Sequence, residues 1–117
     1  MSGIVFFRTG DLDRIVEFYR KTVGAEVWLD QGDCRILAHD GFKFGFCERA
    51  TADDCGILTF YYEDRAAVDA VYDCLADRAR GAPEDNPEYD IYQFFADDPD
   101  GRTVECQTFR HPLPDDP

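Results

Sequence analysis

The chain has 117 residues, of which 44% are hydrophobic and 15% aromatic, enough for the core of one folded domain and too many for a disordered chain. Acidic residues outnumber basic residues by 25 to 12, which gives a net charge of -13. A surface of that charge repels nucleic acid phosphates and anionic membranes, so we expect neither as a partner.

The negative charge comes mainly from aspartate, with 18 Asp against 7 Glu, and the positive charge from 10 Arg against 2 Lys. At molar salt the Debye length falls to about 3 Å, and the self-repulsion of such a surface nearly disappears. We therefore predict a halophilic protein of a salt-loaded cytoplasm. The alternative is an ordinary acidic protein kept soluble by its charge. No signal peptide or membrane-spanning apolar stretch is recognisable, which also favours a cytoplasmic location.

Five cysteines are an odd number, and none of them forms a CxxC pair. The pattern indicates neither a disulfide framework nor a zinc site, so we predict reduced thiols that pack as small apolar side chains. The five are Cys34, Cys47, Cys55, Cys74 and Cys106.

In chain order, "IVFFRTGDLDRIVEFY" predicts a strand, then Asp11 as helix N-cap, then an amphipathic helix that ends before Gly24. The apolar face of this helix consists of Leu12, Ile15, Val16 and Tyr19. Strands follow over "AEVWL", "CRILA" and "FKFGFCE", with the dipeptide Asp40-Gly41 as the hairpin turn between the last two.

The same plan recurs 53 positions later. "ILTFYYEDRAAVDAVY" predicts a strand, Asp64 as N-cap and a helix that Gly81 terminates, with Val68, Val71, Tyr72 and Leu75 on its apolar face. Residues 81–90 predict a loop with room for a short strand. Strands over "IYQFFA" and "RTVECQTF" flank the turn "DDPDG", which is too short for a calcium-binding loop.

We therefore predict an α+β fold with two tandem βαβββ modules, about residues 3–48 and 55–109, within a single domain spanning residues 1–117. Residues 110–117 would be a mobile tail.

The doubled plan, with the phrases "DLDRIVEFYRKTVGAEV" and "DPDGRTVE", resembles the vicinal oxygen chelate superfamily over residues 3–109. That superfamily includes glyoxalases, extradiol dioxygenases and bleomycin-resistance binding proteins. The resemblance implies that the two modules form a cupped, mostly antiparallel sheet with the helices on its outer side. The resemblance implies metal ligands in the first and last strand of each module, and the matching positions hold Ile4, Gly45, Ile57 and Glu105. Because one ligand does not hold a metal, we expect no cofactor. A divalent metal bound by Glu105 with Cys47 or Cys55 remains the alternative.

Side chains alternate along a strand, so Glu105 points to the face of the sheet that Val104 and Cys106 do not occupy. That face carries a mixture of apolar and polar side chains, which suits a small-molecule pocket inside the cup. Arg8 or Lys43 is expected to neutralise Glu105, and Gly45, across the pseudo-two-fold, leaves room for a ligand. Trp28, Tyr61, Tyr92 and Phe95 are candidates for stacking on a flat ligand. The predicted ligand-binding residues are Phe6, Arg8, Trp28, Lys43, Gly45, Thr59, Tyr61, Gln93, Glu105 and Gln107.

Three functions agree with this pattern. The first is a metal-independent, homodimeric binding protein for a small apolar or aromatic molecule. The second is a divergent lyase or dioxygenase-like enzyme in which Glu105 is the catalytic residue, as metal ligand or general base. The third is an interaction protein whose pocket is filled by its own side chains. His39 and His111 are expected at the surface or in loops and not as metal ligands, with a non-standard site of His111 and Glu105 as the alternative.

Overall fold

The computed structural model describes residues 2–115. Residue 1 of the predicted domain and residues 116–117 of the predicted tail lie outside that range. The elements, in chain order, are β1 (Val5–Thr9), α1 (Leu12–Lys21), β2 (Glu26–Asp30), β3 (Cys34–His39), β4 (Phe42–Glu48), β5 (Ile57–Tyr61), α2 (Arg65–Leu75), β6 (Glu84–Asn86), β7 (Ile91–Asp97) and β8 (Thr103–Phe109). This order confirms the tandem βαβββ plan and the α+β class.

The strands form two four-stranded sheets, in the orders β1-β4-β3-β2 and β5-β8-β7-β6. The β1–β4 and β5–β8 pairs are parallel, and the other neighbours are antiparallel. The chain divides into two compact units. The first contains the residues up to Cys55 together with Asp98–Arg102. The second contains Gly56–Asp97 and the residues from Thr103 onward.

The register confirms the internal repeat. Phe6 lies opposite Gly45 in the first sheet, and Thr59 lies opposite Glu105 in the second. The offset of 53 residues that the sequence predicts therefore relates Phe6 to Thr59, and an offset of 60 residues relates Gly45 to Glu105. Glu105 and Gly45 occupy the same place in their respective sheets.

Both helices begin at the predicted aspartates. The Asp11 carboxylate accepts a hydrogen bond from the Arg14 backbone N–H, and Asp64 caps α2 in the same way. All four predicted apolar-face residues of α1 are buried, whereas in α2 burial is complete only at Val68 and Leu75. The caps and the buried faces explain why these two segments fold as helices.

The two predicted helix stops differ. Gly24 follows α1 with φ +80°, the left-handed conformation typical of a helix C-terminus. The prediction for Gly81 is wrong, because α2 already ends at Leu75. A 3-10 turn over Ala76–Arg78 follows it directly. Beyond that turn the loop leads into β6, the short strand for which residues 81–90 had room.

The prediction of five reduced thiols is wrong for Cys34 and Cys47. These residues face each other across the β3–β4 ladder and form a disulfide, with Cα atoms 4.0 Å apart. Strand register, and not a spacing motif, brings them together. Cys55 and Cys74 are free and exposed, and Cys106 is free and buried. Burial raises the pKa of the Cys106 thiol to about 12, so it stays protonated.

The "DDPDG" segment is a turn, as predicted, and it leads to a buried charge in the first unit. Arg102 is fully buried, and its Nη1 lies 2.6 Å from a carboxylate oxygen of Asp98. The Tyr19 hydroxyl donates to the same carboxylate at 2.6 Å. The guanidinium carbon lies 4.8 Å from the Phe7 ring centroid. Burial beside this negative charge raises the pKa of Tyr19.

Within residues 2–115, neither helix is long and apolar enough to cross a membrane.

Candidate functional site

Helix α2 packs against one face of the second sheet, and the opposite face does not contact this helix. The helix side carries Leu58, Phe60, Val104 and Cys106, which are all buried as the alternation predicts. Residues paired in register point to the same side of a sheet, so the other face can be read from the pairing. It carries Thr59, Glu105 and Phe95 in one row, and Tyr61, Gln107, Gln93 and Glu84 in the next.

Glu105 is half-buried on this face, and both of its carboxylate oxygens accept hydrogen bonds. The Thr59 hydroxyl donates to Oε1 at 2.9 Å, and the Gln93 side-chain amide donates to Oε2 at 2.7 Å. Gln93 in turn accepts a hydrogen bond of 2.7 Å from the Asn86 amide. The chain from Asn86 through Gln93 holds the carboxylate in one orientation.

A lysine or arginine was expected to neutralise Glu105, and the structure replaces it with the neutral donors Thr59 and Gln93. Arg8 pairs with Asp53, its Nη2 lying 2.7 Å from Oδ1, and Asp53 also accepts from the Arg8 backbone N–H. These bonds lower the pKa of the Asp53 carboxyl. Lys43 lies 4.9 Å from the Trp28 ring centroid. No ion pair to Glu105 occurs in the part of the chain that the structure describes.

A cleft of about 470 Å³ opens beside Glu105 in the second unit. Two of its charged wall residues have partners: Arg80 Nη2 lies 2.6 Å from Asp97, and Asp85 lies 3.3 Å from Arg65. The cleft wall includes Arg80, Glu84, Asp85, Tyr89, Ile91, Gln93, Phe95 and Glu105. Carboxylates, an amide and aromatic rings thus share one opening.

Gln107 lies one step along β8 from Glu105, on the same face. Its side chain is only 8% exposed, and its Oε1 is buried without a hydrogen-bond partner. Tyr61, its neighbour in β5, is exposed and has its ring edge against Phe109 at 5.5 Å. A buried amide oxygen without a donor is uncommon and costs free energy, which marks this position as one that a ligand could satisfy.

The equivalent place in the first sheet is closed. A Cβ on Gly45 would lie 2.5 Å from Cε1 of Phe6, so the Phe6 ring covers the glycine. The room that the sequence predicts at Gly45 is therefore occupied by a side chain of the same unit. Trp28 stays 54% exposed on β2, an edge strand.

The predicted site residues thus separate into two groups. Thr59, Gln93 and Glu105 meet through hydrogen bonds, and Tyr61 and Gln107 share their face. The first unit holds Phe6, Arg8, Trp28, Lys43 and Gly45.

Tyr92 is not part of the site. Its hydroxyl donates to Asp69 of α2 at 2.6 Å, which raises the tyrosine pKa, and Arg65 stacks on its ring. The structure also adds Glu84 and Asn86, which the sequence analysis missed. Their β6 strand is only three residues long and has no apolar alternation that could have revealed it.

The residues at the expected metal position do not fit a metal ion. Three of the four positions hold Ile4, Gly45 and Ile57, and both oxygens of the fourth, Glu105, already accept hydrogen bonds. Between residues 2 and 115 no three His, Cys, Asp or Glu side chains are grouped as a metal site would require. His111 is exposed, and His39 ends β3.

Neither a family model nor a curated protein matches the sequence. Solved structures, however, share the fold. A glyoxalase/bleomycin resistance protein/dioxygenase family enzyme from Burkholderia phytofirmans superimposes with a TM-score of 0.78 at 19% identity, covering 90% of this chain and 95% of that one. A glyoxalase/bleomycin resistance protein from Albidiferax ferrireducens gives 0.77 at 17%, covering 96% and 99%. A lactoylglutathione lyase from Agrobacterium tumefaciens gives 0.74 at 21%, covering 92% of each. The chain thus has the vicinal oxygen chelate fold.

Proposed function

We propose that this protein is a metal-independent small-molecule-binding protein of the vicinal oxygen chelate type, with its ligand held against the Glu105 face of the second sheet. One observation carries the proposal: a carboxylate without a counter-ion, fixed by Thr59 and Gln93, at the wall of a 470 Å³ cleft. The volume lies within the range of about 300–1,000 Å³ typical of ligand sites. Phe95, Ile91 and Tyr89 supply apolar surface for a small apolar or aromatic ligand.

An enzyme is the second candidate, in which Glu105 is a general base. The observation in its favour is that the hydrogen bonds from Thr59 and Gln93 orient the carboxylate before any substrate arrives. Glu105→Gln would abolish proton transfer and leave shape-dependent binding in place. Binding without any turnover of the bound compound favours the first candidate.

The proposal is tested on protein purified without chelator. Denaturation should release a small organic molecule that mass spectrometry detects, and elemental analysis should find no stoichiometric metal. The same preparation of Glu105→Gln is the comparison. A molecule bound by shape should still be released from this variant, and a molecule bound through the carboxylate should be lost. A stoichiometric divalent metal, or complete absence of any bound molecule and of any binding in a compound screen, would contradict the proposal.

The third possibility is a protein whose pocket is filled by its own side chains. The first sheet has such a filled position, because Phe6 covers Gly45. The open cleft beside Glu105 argues against it for the second.

We also propose a cytoplasmic homodimer adapted to high salt. The exposed apolar residues Val27, Trp28 and Leu29 on edge strand β2 support a second copy as partner, since an open apolar edge invites pairing. The charge of -13 supports the salt adaptation. Sedimentation in high salt tests the dimer, and a single 13.4 kDa species would contradict it.

A further inference from the structure

We propose that the Glu105 cleft binds an organic cation: an ammonium or guanidinium group carried on an apolar or aromatic body. This inference rests on the proposed function, because it names the chemical class of ligand for the same site. Two features of the cleft lead to it, its unpaired charge and its aromatic wall. A further observation is an unsatisfied acceptor on Gln107, which lies outside the cleft wall and beside Glu105 on the same face of the sheet.

The charge comes first. The wall contains four charged side chains. Two of them are paired, Arg80 with Asp97 and Asp85 with Arg65. Glu84 and Glu105 remain, and neither forms an ion pair within the described range of the chain. The wall therefore presents two carboxylates without counter-ions. An anionic ligand would be repelled here, whereas a cation would supply the missing charge.

The two carboxylates are placed to act together. Glu84 lies opposite Gln93 in the β6–β7 ladder, so both side chains point to the same face. Gln93 in turn donates to Glu105 at 2.7 Å. Glu84 and Glu105 thus flank one amide side chain, and a group with several N–H donors seated there can reach either carboxylate.

Gln107 is the second observation. It is more than nine-tenths buried, it lies beside Glu105 along β8 and across from Gln93, and its Oε1 lacks a donor. An ammonium group has three donors and no acceptor, and a guanidinium has five donors and no acceptor. Such a group, bound at the Glu105 end of the cleft, has donors for the carboxylate and for the neighbouring amide oxygen, and a carboxylate or phosphate ligand has none.

The aromatic wall determines the rest of the ligand. Phe95 is paired with Glu105 in the β7–β8 ladder, and Tyr89 is 63% exposed at the opening. Aromatic faces attract cations and pack against apolar surface. A flat or apolar body attached to the cationic group would cover these rings while its charge meets the carboxylates.

Three probes of similar shape separate the contribution of ligand charge to binding from that of the aromatic body. They are the cation phenethylamine, its neutral analogue phenethyl alcohol, and the anion hydrocinnamate. Binding is measured by NMR titration of the intact protein at two salt concentrations. We expect phenethylamine to bind about tenfold or more tightly than phenethyl alcohol, and hydrocinnamate not to bind. Added salt should weaken the binding of phenethylamine and leave that of the alcohol unchanged.

Variants locate the effect. Glu105→Gln and Glu84→Gln should each reduce the preference for the cation several-fold, and Gln107→Leu should weaken phenethylamine binding with circular dichroism unchanged. Glu63→Gln is the matched control, because Glu63 is exposed and lies outside the cleft wall. Its affinities should equal those of the native protein.

The outcomes distinguish this inference from the proposed function. Equal binding of phenethylamine and phenethyl alcohol, or tighter binding of hydrocinnamate, overturns the cation assignment and leaves a small-molecule site in place. Absence of phenethylamine binding also overturns it, and the co-purified molecule then decides the proposed function separately. Displacement of phenethylamine by Mg²⁺ alone at equal concentration would assign the site to an inorganic cation and overturn the inference as well.

Discussion

Gln93 accepts a hydrogen bond from Asn86 and donates one to Glu105, each 2.7 Å long, so its amide group has a single productive orientation. If the amide turned over, its oxygen would face the Glu105 carboxylate and its nitrogen would face the Asn86 donor. The carboxylate is therefore held by a residue that is itself held, which is the arrangement a preorganised site needs.

Gln93→Leu removes both bonds at a buried position. It should lower the free energy of unfolding by about 1–3 kcal/mol, because a half-buried carboxylate and the Asn86 amide lose a partner. Urea unfolding measures the change. Gln31→Leu is the control, since Gln31 is exposed, and it should have almost no effect. Equal stability of the two variants would show that the Asn86–Gln93–Glu105 chain contributes nothing.

Gly45→Ala should be destabilising by about 1–3 kcal/mol, because the new Cβ would lie 2.5 Å from the Phe6 ring. Thermal unfolding measures this. In the background of Phe6→Ala the same substitution should cost much less, since the ring that it meets is gone. Additive effects of the two substitutions would show that Phe6 does not cover Gly45.

Arg102→Met leaves the buried Asp98 carboxylate with the Tyr19 hydroxyl but without its cation. We expect a loss of about 3–5 kcal/mol, measured by denaturant unfolding, as for other buried pairs broken on one side. Arg110→Met, at an exposed arginine, is the control. A loss below about 1 kcal/mol would mean that Asp98 is protonated or solvated in the variant.

Thiol counting tests the cysteine assignment. Under native, non-reducing conditions Cys55 and Cys74 should react with a thiol reagent at pH 8, and Cys106 should not, because burial keeps its pKa at about 12. Cys106 should react once the protein is denatured, and Cys34 and Cys47 only after reduction. If all cysteines react in the denatured, unreduced protein, the disulfide does not form.

Melting temperature should rise as salt is increased from low to molar concentration. The physical reason is that the net charge of -13 repels itself most strongly in the compact state, and salt screens that repulsion. Differential scanning fluorimetry in sodium chloride and potassium chloride measures the trend. A flat or falling melting temperature would remove the case for a halophilic protein.

The sequence by itself determined where both helices begin and which faces of α1 and β8 are buried. Capping chemistry identifies Asp11 and Asp64 as the helix N-caps. Local periodicity predicts the buried stripe of α1 and places Glu105 and Val104 on opposite faces of the sheet. These features depend on residues within a few positions of one another. The repeat is visible for the same reason, because each copy carries its own strand, cap and helix signals within a short segment.

Only the tertiary structure decided which side chains meet across strands. The Cys34–Cys47 disulfide and the Phe6 ring over Gly45 depend on register between segments far apart in the chain. The same holds for the choice of Gln93 as a partner of Glu105, because a diagonal contact between β7 and β8 is set by the ladder and by the short β6 strand. Pairing energies of this kind belong to two strands at once, so no single segment of the sequence encodes them.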